Sequence, residues 1–417
     1  MRSNRDRRYW RGPIVDIETT NPIETLDDDF YADPQAHYRQ WRERGPVVRF
    51  HAPEGVVSWM ILGHDEARAA LRDPRLRKNV DGTAAIFRRQ CPAAPESSSL
   101  LNLDNHMGNC DPPEHTRLRK LVNKAFTPRA VAAMRPHIEA TTNALLDEIA
   151  GCDEVDLLAA FAVPLPVRMI CGILGVPRTD LGEFQRWARE MFAISGERRR
   201  AAIEEKRGYI RDLVRAKRAR PGPDLLSALV HAREDNDRLT EKELVSMAFL
   251  LLFAGHGTTA DFLTTGSLTL LRDETLLRTV RDDPSKLPGV IEELLRFDGP
   301  IHLSAIRFTA EPVRFGDIEI PAGEFVHIAL SAANHDPAYF PDPDRLDITR
   351  DAGRHLGFGH GAHFCAGANL ARMEATVAFS TLLWRFPDLR LARPAAELTW
   401  HHEFGFPTLT ELPVRLG

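Results

Sequence analysis

The sequence predicts a mainly helical protein with a minor β region, formed as one domain over residues 1–417. Residues 112–295 carry a mostly helical pattern, and residues 244–271 within it are long and apolar enough for a helix through a core. Length alone allows two or three domains, but residues 95–99 form only a local loop, and no longer linker divides the chain. Residues 1–15 are expected to form a disordered or extended arm.

Short strands flank the helical region on both sides. The predicted strands cover residues 47–50, 56–62, 313–315, 318–320 and 325–328, and residues 398–414 are expected to form a hairpin. Prolines predict breaks between helices at Pro128, Pro136, Pro177 and residues 221–223. A final helix is predicted after Cys365. Its apolar residues near helical spacing are Leu370, Met373, Val377 and Trp384.

The long apolar segment begins with a helix-start signal. Thr240 and Glu243 form a capping-box pattern. A helix from there to about Arg272 is roughly 50 Å long at about 1.5 Å per residue. This length raises the question of a membrane span, but residues 255–261 interrupt the segment with glycine, histidine, threonine and aspartate, which are costly in lipid. The sequence therefore predicts a buried helix and no membrane association.

Composition points to an ordinary globular protein. The net charge of −5 and the pI near 6.4 give no indication of nucleic-acid binding. Five scattered cysteines without C-x-x-C spacing favour a reducing compartment over a disulfide framework or a zinc site. Residues 1–12 are rich in arginine and contain no apolar run, so neither a signal peptide nor an anchor is expected there. We therefore expect a cytoplasmic location.

Cys365 is the most informative residue. It lies in a glycine-rich loop just ahead of the predicted final helix. A thiolate ligand donates enough electron density to haem iron to favour O–O cleavage. Small neighbours let backbone N–H groups approach the sulfur, and a helix N-terminus lowers the pKa of a thiol. The alternative interpretation is a buried structural cysteine beside a turn, the usual role of a lone cysteine.

Residues 358–367 read FGHGAHFCAG and resemble, at every fixed position, the haem-binding loop F-G-x-G-x-H-x-C-x-G of the cytochrome P-450 family. The resemblance covers nearly the whole chain. It implies the cytochrome P-450 fold, with haem b (iron protoporphyrin IX) buried between the long central helix and the Cys365 loop. It also implies that Cys365 is the ligand of the haem iron and that Phe358, Gly359 and Gly367 bind the cofactor.

A second family motif is the E-x-x-R pair formed by Glu293 and Arg296. Residues three apart share a helix face, so this carboxylate and guanidinium can pair. Taken alone, such a pair is usually a solvated surface pair. The resemblance implies a buried structural network with a third member from a proline-rich segment. Arg345 in residues 341–345 fits that position.

Four residues match the family's haem-propionate partners. His115 and Arg119 lie one helical turn apart in the segment DPPEHTRLR, and Arg307 and His363 complete the set. Propionates need cationic or hydrogen-bonding partners when they are partly buried. Each residue alone is better explained as a surface or capping residue. As four matched positions, they imply propionate binding.

The oxygen-activation stretch of the long helix reads AGHGTT over residues 254–259. Two helix-interior glycines, Gly255 and Gly257, cost roughly 1 kcal/mol each relative to alanine, which suggests a close approach to a cofactor or a widened groove. The resemblance places Thr258 at the position that guides protons, with His256 as a further candidate. The family pattern is A-G-x-[D/E]-T-T, so Gly257 stands where an acid is usual.

The substrate pocket is the least specific part of the sequence. By resemblance, the apolar wall residues are Phe253, Ile301, Leu303, Phe404 and Phe406. The polar candidates for orienting a substrate are His302, His401, His402 and Glu403, each of which is equally explained as an exposed loop residue.

The predicted function is that of a soluble bacterial haem-thiolate monooxygenase of the actinobacterial type. It would oxidise a small organic substrate in secondary metabolism, using O2 and electrons from a separate ferredoxin or flavodoxin and its reductase. A monomer is expected. One alternative is a non-hydroxylating oxidation at the same haem, such as C–C or C–N coupling or peroxide-driven oxidation, suggested by Gly257. Another is a non-catalytic relative, which the presence of both Cys365 and the E-x-x-R pair disfavours.

Overall fold

The computed structural model of the protein describes residues 22–94, 98–101, 104–124, 126–184, 186–187, 196–232 and 239–417. The expected N-terminal arm of residues 1–15 lies outside these described residues. Helices dominate the structure, and the strands are short. The helices are α1 (Asp28–Ala32), α2 (Pro34–Arg42), α3 (His64–Arg72), α4 (Val80–Gln90), α5 (Glu114–Asn123), α6 (Pro128–Ile149), α7 (Pro164–Leu174), α8 (Gly196–Ala219), α9 (Leu225–His231), α10 (Glu241–Arg272), α11 (Glu274–Asp282), α12 (Leu287–Asp298), α13 (Leu330–Asn334) and α14 (Ala368–Arg385).

The strands form one larger sheet and three small ones. They are β1 (Ile23–Thr25), β2 (Val47–His51), β3 (Val57–Ile61), β4 (Leu76–Arg77), β5 (Glu154–Asp156), β6 (Arg307–Thr309), β7 (Val313–Phe315), β8 (Ile318–Ile320), β9 (Phe325–Ile328), β10 (Arg390–Leu391), β11 (Trp400–Glu403), β12 (Phe406–Leu409) and β13 (Pro413–Arg415). The six-stranded sheet has the order β1-β2-β3-β9-β6-β4. The others are β10-β13-β5, the predicted C-terminal hairpin β11-β12, and β7-β8.

The long helix α10 is the centre of the fold, as the sequence predicts. Thr240 caps it, and the reciprocal capping box with Glu243 is present. The helix packs against α7, α12 and α14, and its residues contribute to both large apolar clusters of the core. By length and composition it is the one helix in the described part of the chain able to cross a membrane, and half of its most apolar window is buried within the protein.

Two glycines on α10 allow close packing against neighbouring helices. A Cβ on Gly255 would lie 2.9 Å from Ile170 Cδ1 on α7, and one on Gly266 would lie 2.7 Å from Phe379 Cζ on α14. The glycines therefore let α10 sit deep among its neighbours. The predicted break at Pro136 is wrong, since α6 continues through this proline. The tertiary packing of buried residues such as Val131 and Ile138 on either side of it outweighs the lost backbone hydrogen bond.

Candidate active site

A cavity of about 320 Å³ lies between the Cys365 loop on one side and helix α10 on the other. Its apolar lining includes Leu250, Leu251, Phe262, Leu295, Ile301 and Leu330. Its polar lining includes Lys78, Arg119, Thr258, Arg307, His363, Cys365 and Glu374. The cavity thus brings together segments that are almost 300 residues apart in the chain, and it is mostly apolar with a few polar groups, as ligand sites usually are.

The Cys365 loop takes its shape from glycine and from one backbone hydrogen bond. Gly359 and Gly361 have φ values of 69° and 75°, in the left-handed region that favours glycine. A Cβ on Gly361 would also lie 2.7 Å from Leu71 O. The Cys365 amide donates to Phe358 O at 2.9 Å and closes the loop. Helix α14 begins directly afterwards, with Gly367 at its N-cap.

The Cys365 side chain is exposed to the cavity. Burial of the site raises the pKa of its thiol, while a hydrogen bond from the Gly367 amide and the positive charges of Arg119 and Arg372 act in the opposite direction. The amide and the two guanidinium groups therefore favour the thiolate, the form that can ligate a metal. Among the described residues, no group of three or more His, Cys, Asp or Glu side chains forms a metal site, so Cys365 would act as a single protein ligand.

Arg372 braces the Cys365 loop, a role that the sequence analysis missed. Its guanidinium carbon lies 4.5 Å from the centre of the Phe358 ring, and its Nε and Nη2 donate to Glu292 at 2.6 and 2.7 Å. His355 lies 3.3 Å from the same carboxylate. Burial raises the pKa of Glu292, but hydrogen bonds from Arg372 and His355 outweigh it and lower that pKa to about 2. This pairing ties the loop to α12.

Three of the four predicted propionate residues, Arg119, Arg307 and His363, line one end of the cavity, and the fourth, His115, contacts His363. His115 and Arg119 lie on α5, and the His115 and His363 rings are 4.1 Å apart between centroids. Burial, together with the neighbouring cations, lowers the pKa of His115 and lowers that of His363 to about 2. Arg119 donates through Nε to Asn123 Oδ1 at 2.9 Å, and Arg307 is only 4% exposed.

The same end of the cavity holds unpaired donors, which makes it a fit for the carboxylates of haem. Within the described part of the chain, Arg307 Nε and His115 Nε2 are buried without a hydrogen-bond partner. A buried unpaired donor costs about 1–3 kcal/mol, and an anionic ligand relieves that cost. Lys78 also lines this end and is 7% exposed. Lys78 was not predicted from the sequence, because nothing in its local pattern distinguishes it from a surface lysine.

On α10, Thr258 faces the cavity and donates its hydroxyl to Ala254 O at 3.1 Å. Gly255 also lines the cavity, although its missing Cβ relieves contact with Ile170 on α7, so the expected close approach to a cofactor is not what requires this glycine. Gly257 is buried and is not among the cavity-lining residues. Thr258 and Gly255 therefore lie on the cavity side of α10, whereas Gly257 does not.

The prediction that His256 belongs to the catalytic centre is wrong. Its ring lines a separate small crevice with Trp187 and Lys206, and its Nδ1 lies 2.6 Å from Leu252 O. Burial lowers the pKa of His256 to about 4. Two residues along a helix turn a side chain by about 200°, so His256 and Thr258 point to opposite sides of α10.

Glu374 is a further residue that the sequence analysis missed. It lies on α14, lines the cavity and is 2% exposed. Its Oε2 has no hydrogen-bond partner among the described residues, and burial raises the pKa of this carboxyl to about 8. A glutamate among the apolar positions of the final helix is the signal that could have identified it.

The E-x-x-R pair forms the buried network that the resemblance implies, but with a different third member. Arg296 Nε and Nη2 donate to Glu293 at 2.7 and 2.8 Å, and both side chains are fully buried. Arg350 Nε lies 3.3 Å from Glu293 Oε1. The assignment of Arg345 to this place is wrong: its side chain is 69% exposed and pairs with Asp347, and only its backbone carbonyl receives Arg296 Nη2, at 3.3 Å.

The predicted substrate wall is divided between separate places. Ile301 lines the cavity beside Cys365. Leu303, Phe404 and Phe406 line an adjoining cavity of about 210 Å³ that shares Ser304 and Ala305 with the first. The placement of Phe253 in this wall is wrong, because its side chain is 48% exposed and stacks on Phe249 at 6.3 Å, outside both cavities. An apolar residue on a helix need not face the ligand.

The three histidines among the polar substrate candidates also lie outside the Cys365 cavity. The His302 amide donates to Gly405 O at 2.9 Å, and its side chain lines another cavity together with His402. The His402 ring stacks on Tyr31 at 5.4 Å. His401 is exposed, and the Glu403 side chain lies outside the described part. None of the three histidines lines the cavity that contains the Cys365 thiol.

A mainly helical fold with a single thiol at the end of an apolar, cation-flanked cavity defines a haem-thiolate protein. The family model for cytochrome P450 matches residues 167–387, and the chain belongs to the cytochrome P450 family as a monooxygenase. It is 45% identical to cytochrome P450 107B1 of Saccharopolyspora erythraea over 406 residues, which cover 96% of this chain and 100% of that protein.

Two further comparisons agree. The chain is 43% identical to 6-deoxyerythronolide B hydroxylase of the same organism over 402 residues, covering 93% of this chain and 97% of that one. The solved structure of the tirandamycin C-bound P450 monooxygenase TamI superposes with a TM-score of 0.87 at 44% identity, covering 95% of this chain and 100% of that chain.

Proposed function

We propose that this enzyme binds haem b and inserts an oxygen atom from O2 into a small, largely apolar secondary metabolite of the polyketide class. The single observation that carries the proposal is the apolar cavity with the Cys365 thiol on one side and Thr258 on the other. The substrate class is supported by the name of another similar protein, the polyketide biosynthesis cytochrome P450 PksS of Bacillus subtilis, which is 36% identical over 395 residues.

In the proposed complex, Cys365 ligates the iron, and Arg119, Arg307, His115 and His363 hold the propionates. Bound haem supplies the activation of O2, which no amino-acid side chain provides. The glycine-rich loop and the Gly367 amide hold the sulfur in place and favour its thiolate form. The pairing of Arg372 with Glu292 keeps the loop, and with it the sulfur, in a defined position.

Protons must reach the reacting oxygen through groups of this chain, and Gly257 supplies none. We assign this role to the Thr258 hydroxyl and ordered water. Because Thr258 donates its own proton to Ala254 O, its lone pairs are free to accept from water. Glu374 faces the same cavity and is protonated at neutral pH, since burial raises its pKa to about 8.

The substrate occupies the apolar part of the cavity near Ile301, next to the smaller cavity lined by Leu303, Phe404 and Phe406. The shared residues Ser304 and Ala305 are small, so a long substrate can extend from one cavity into the other. Electrons are proposed to come from a separate ferredoxin or flavodoxin and its reductase, because the scattered cysteines offer no iron–sulfur ligand set. We place the enzyme in the cytoplasm as a monomer.

The carbon monoxide difference spectrum of the reduced enzyme tests the haem assignment. The wild type should show the red-shifted Soret band of thiolate ligation, and Cys365→Ser should abolish it. Cys152→Ser is the matched control, because Cys152 is an exposed free cysteine outside the cavity. A histidine-type carbonyl spectrum in the wild type, or an unchanged band in Cys365→Ser, would contradict the proposal.

A non-hydroxylating oxidation is the second candidate, favoured by one observation: Gly257 stands where the family usually carries an acid. Turnover under isotopically labelled O2 distinguishes the two. Label in the product supports oxygen insertion, whereas an unlabelled coupled product supports the second candidate. Spin-state titration against a panel of polyketides, including macrolactones, tests the substrate class. A complete absence of spectral shifts across that panel, with shifts from another class, would refute it.

A further inference from the structure

The register of the sheet places two buried cations opposite each other. Strands β4 and β6 are antiparallel, with Leu76 opposite Thr309 and Arg77 opposite Phe308. Continued by one residue, this register sets Lys78 opposite Arg307. Lys78 is 7% exposed and Arg307 is 4% exposed. Like charges directly opposite each other in a sheet are destabilising even at a surface, and burial increases the cost.

The described part of the chain does not neutralise this pair. Lys78 donates to Asp111 through its backbone amide and lines the cavity, and Arg307 Nε is buried without a partner. Asp111 is the one described acid whose negative charge raises the pKa of both Lys78 and Arg307. Its carboxylate already accepts from the Lys78 amide at 2.9 Å and from Asn79 Nδ2 at 2.7 Å. The polar end of the cavity therefore carries excess positive charge.

The protonation of Lys78 reflects this surplus. Burial and, to a smaller extent, the charge of Arg307 lower the pKa of its ammonium to about 7, although Asp111 and Cys110 act in the opposite direction. The other groups that face Lys78 are His106, His115 and His363, and its charge lowers the pKa of each of these imidazoles. All three rings are neutral at pH 7, so they add no compensating charge.

We propose that Lys78 is an additional haem-propionate ligand, which binds the carboxylate beside Arg307 and takes up a proton from solvent when haem binds. The inference rests on the proposed binding of haem b and extends it to a residue beyond the four positions that the resemblance implies. The N–H bond forms as an O–H bond of a solvent or buffer acid breaks, and no oxidation state changes in this proton transfer. The result is an ammonium–carboxylate pair beside Arg307, and charge-assisted hydrogen bonds of this kind are among the stronger ones.

The sign of the pH dependence follows from these charges. At pH 6 Lys78 is already an ammonium without haem, so haem binding takes up almost no proton there. At pH 8–9 it is mostly neutral without haem, and an adjacent propionate raises its pKa, so binding takes up close to one proton. Arginine stays charged throughout this range, and methionine is never charged. Neither Lys78→Arg nor Lys78→Met should show the uptake.

Haem transfer from the holoenzyme to a haem-scavenging apoglobin measures the interaction. Lys78→Met, which is close to isosteric and neutral, should lose haem about tenfold faster at pH 7.5. Lys78→Arg should stay within about twofold of the wild type. Lys124→Met controls for net charge, because Lys124 is exposed at the end of α5. The haem reduction potential should fall in Lys78→Met but not in Lys78→Arg or Lys124→Met, because only the first variant removes a positive charge beside the haem. A lysine with a purely structural role would leave the potential unchanged.

Proton uptake is measured by adding haem to the haem-free full-length chain in weak buffer with an indicator dye at pH 6 and pH 8.5. The difference between wild type and Lys78→Arg isolates this lysine from the other groups that titrate. The proposal is overturned if Lys78→Met keeps the wild-type haem-loss rate and potential, or if no difference in uptake appears at pH 8.5. A wild type that shows no thiolate band refutes the proposed function itself, so the two failures are distinguishable.

Discussion

Arg350 Nε lies 3.3 Å from Glu293 Oε1, although 57 residues separate the two in the chain. The carboxylate is fully buried, and Arg350 is held from behind by the carbonyls of Pro341 and Asp342 at 2.5 and 3.0 Å. Arg296 completes the pairing of Glu293. This network anchors helix α12 to the loop that leads into the Cys365 segment, so it supports the site without touching the cavity.

Replacing Arg350 by alanine is expected to lower the free energy of unfolding by about 3 kcal/mol, because it removes one partner of a buried carboxylate. Arg345→Ala is the matched control and should change stability by less than about 0.5 kcal/mol, since its side chain is 69% exposed. Urea unfolding monitored by circular dichroism measures both. Equal losses in the two variants would contradict the network described above.

Glu374→Gln is expected to flatten the pH dependence of stability. The pKa of Glu374 is raised to about 8 in the folded protein from the ordinary 4.5, so folding takes up a proton between these values. Wild-type stability should therefore fall as pH rises from about 5 to 8, by up to ~1.4 kcal/mol per pH unit more than in the variant, and should level off above pH 8. Denaturant titrations at several pH values test this.

Thr258→Ala is expected to lower the product formed per electron consumed by about tenfold, because the variant lacks the hydroxyl that delivers protons to the reacting oxygen. More of the reducing equivalents should appear as hydrogen peroxide. Substrate affinity from spin-state titration should change little. Thr264→Ala serves as the control on the same helix, because its hydroxyl donates to Ala260 O at 2.8 Å in the same way but does not line the cavity. If coupling in Thr258→Ala equals that of the wild type, protons arrive by another route.

Restoring an acid with Gly257→Asp or Gly257→Glu is not expected to improve coupling with the native substrate. Gly257 is buried on α10, and burying a new carboxylate without a partner costs several kcal/mol. Product per electron, together with substrate affinity, measures the effect. A several-fold gain in coupling with unchanged binding would show that the missing acid limits proton delivery.

Gly255→Ala is expected to destabilise the protein by about 1–2 kcal/mol, since the new Cβ would lie 2.9 Å from Ile170 Cδ1 and 3.0 Å from its Cγ1. Gly208 on helix α8 is the control, because a Cβ there meets nothing within 4 Å. Gly208→Ala should stabilise by about 0.5–1 kcal/mol through helix propensity. The melting temperatures of both variants test these expectations. A higher melting temperature in Gly255→Ala would contradict the packing argument.

Features with a short-range cause were predictable from the sequence. The capping box at Thr240 depends on residues three apart, and the C-terminal hairpin on a local turn, and both are present. The loop around Cys365 is similarly local, because its glycines set the backbone and one hydrogen bond closes it. The helix face shared by Glu293 and Arg296 follows from helix geometry alone.

The positions that the sequence analysis missed or misplaced all depend on which way a helix or loop faces. His256 and Phe253 lie on α10, but its rotation turns them away from the cavity. Trp384 follows the apolar spacing of α14 and is nevertheless 82% exposed. A periodic pattern identifies a face of a helix. The pattern does not predict which neighbouring element packs on that face at each turn, or whether any does.

By itself, the sequence determined the thiol loop, the central helix and the family to which the chain belongs, since each follows from neighbouring residues. Only the tertiary structure decided that Arg350 replaces Arg345 beside Glu293, that Glu374 faces the cavity and that Lys78 stands opposite Arg307. The physical reason is the same in each case. Burial and electrostatic pairing depend on distances between segments far apart in the chain, and no local pattern encodes those distances.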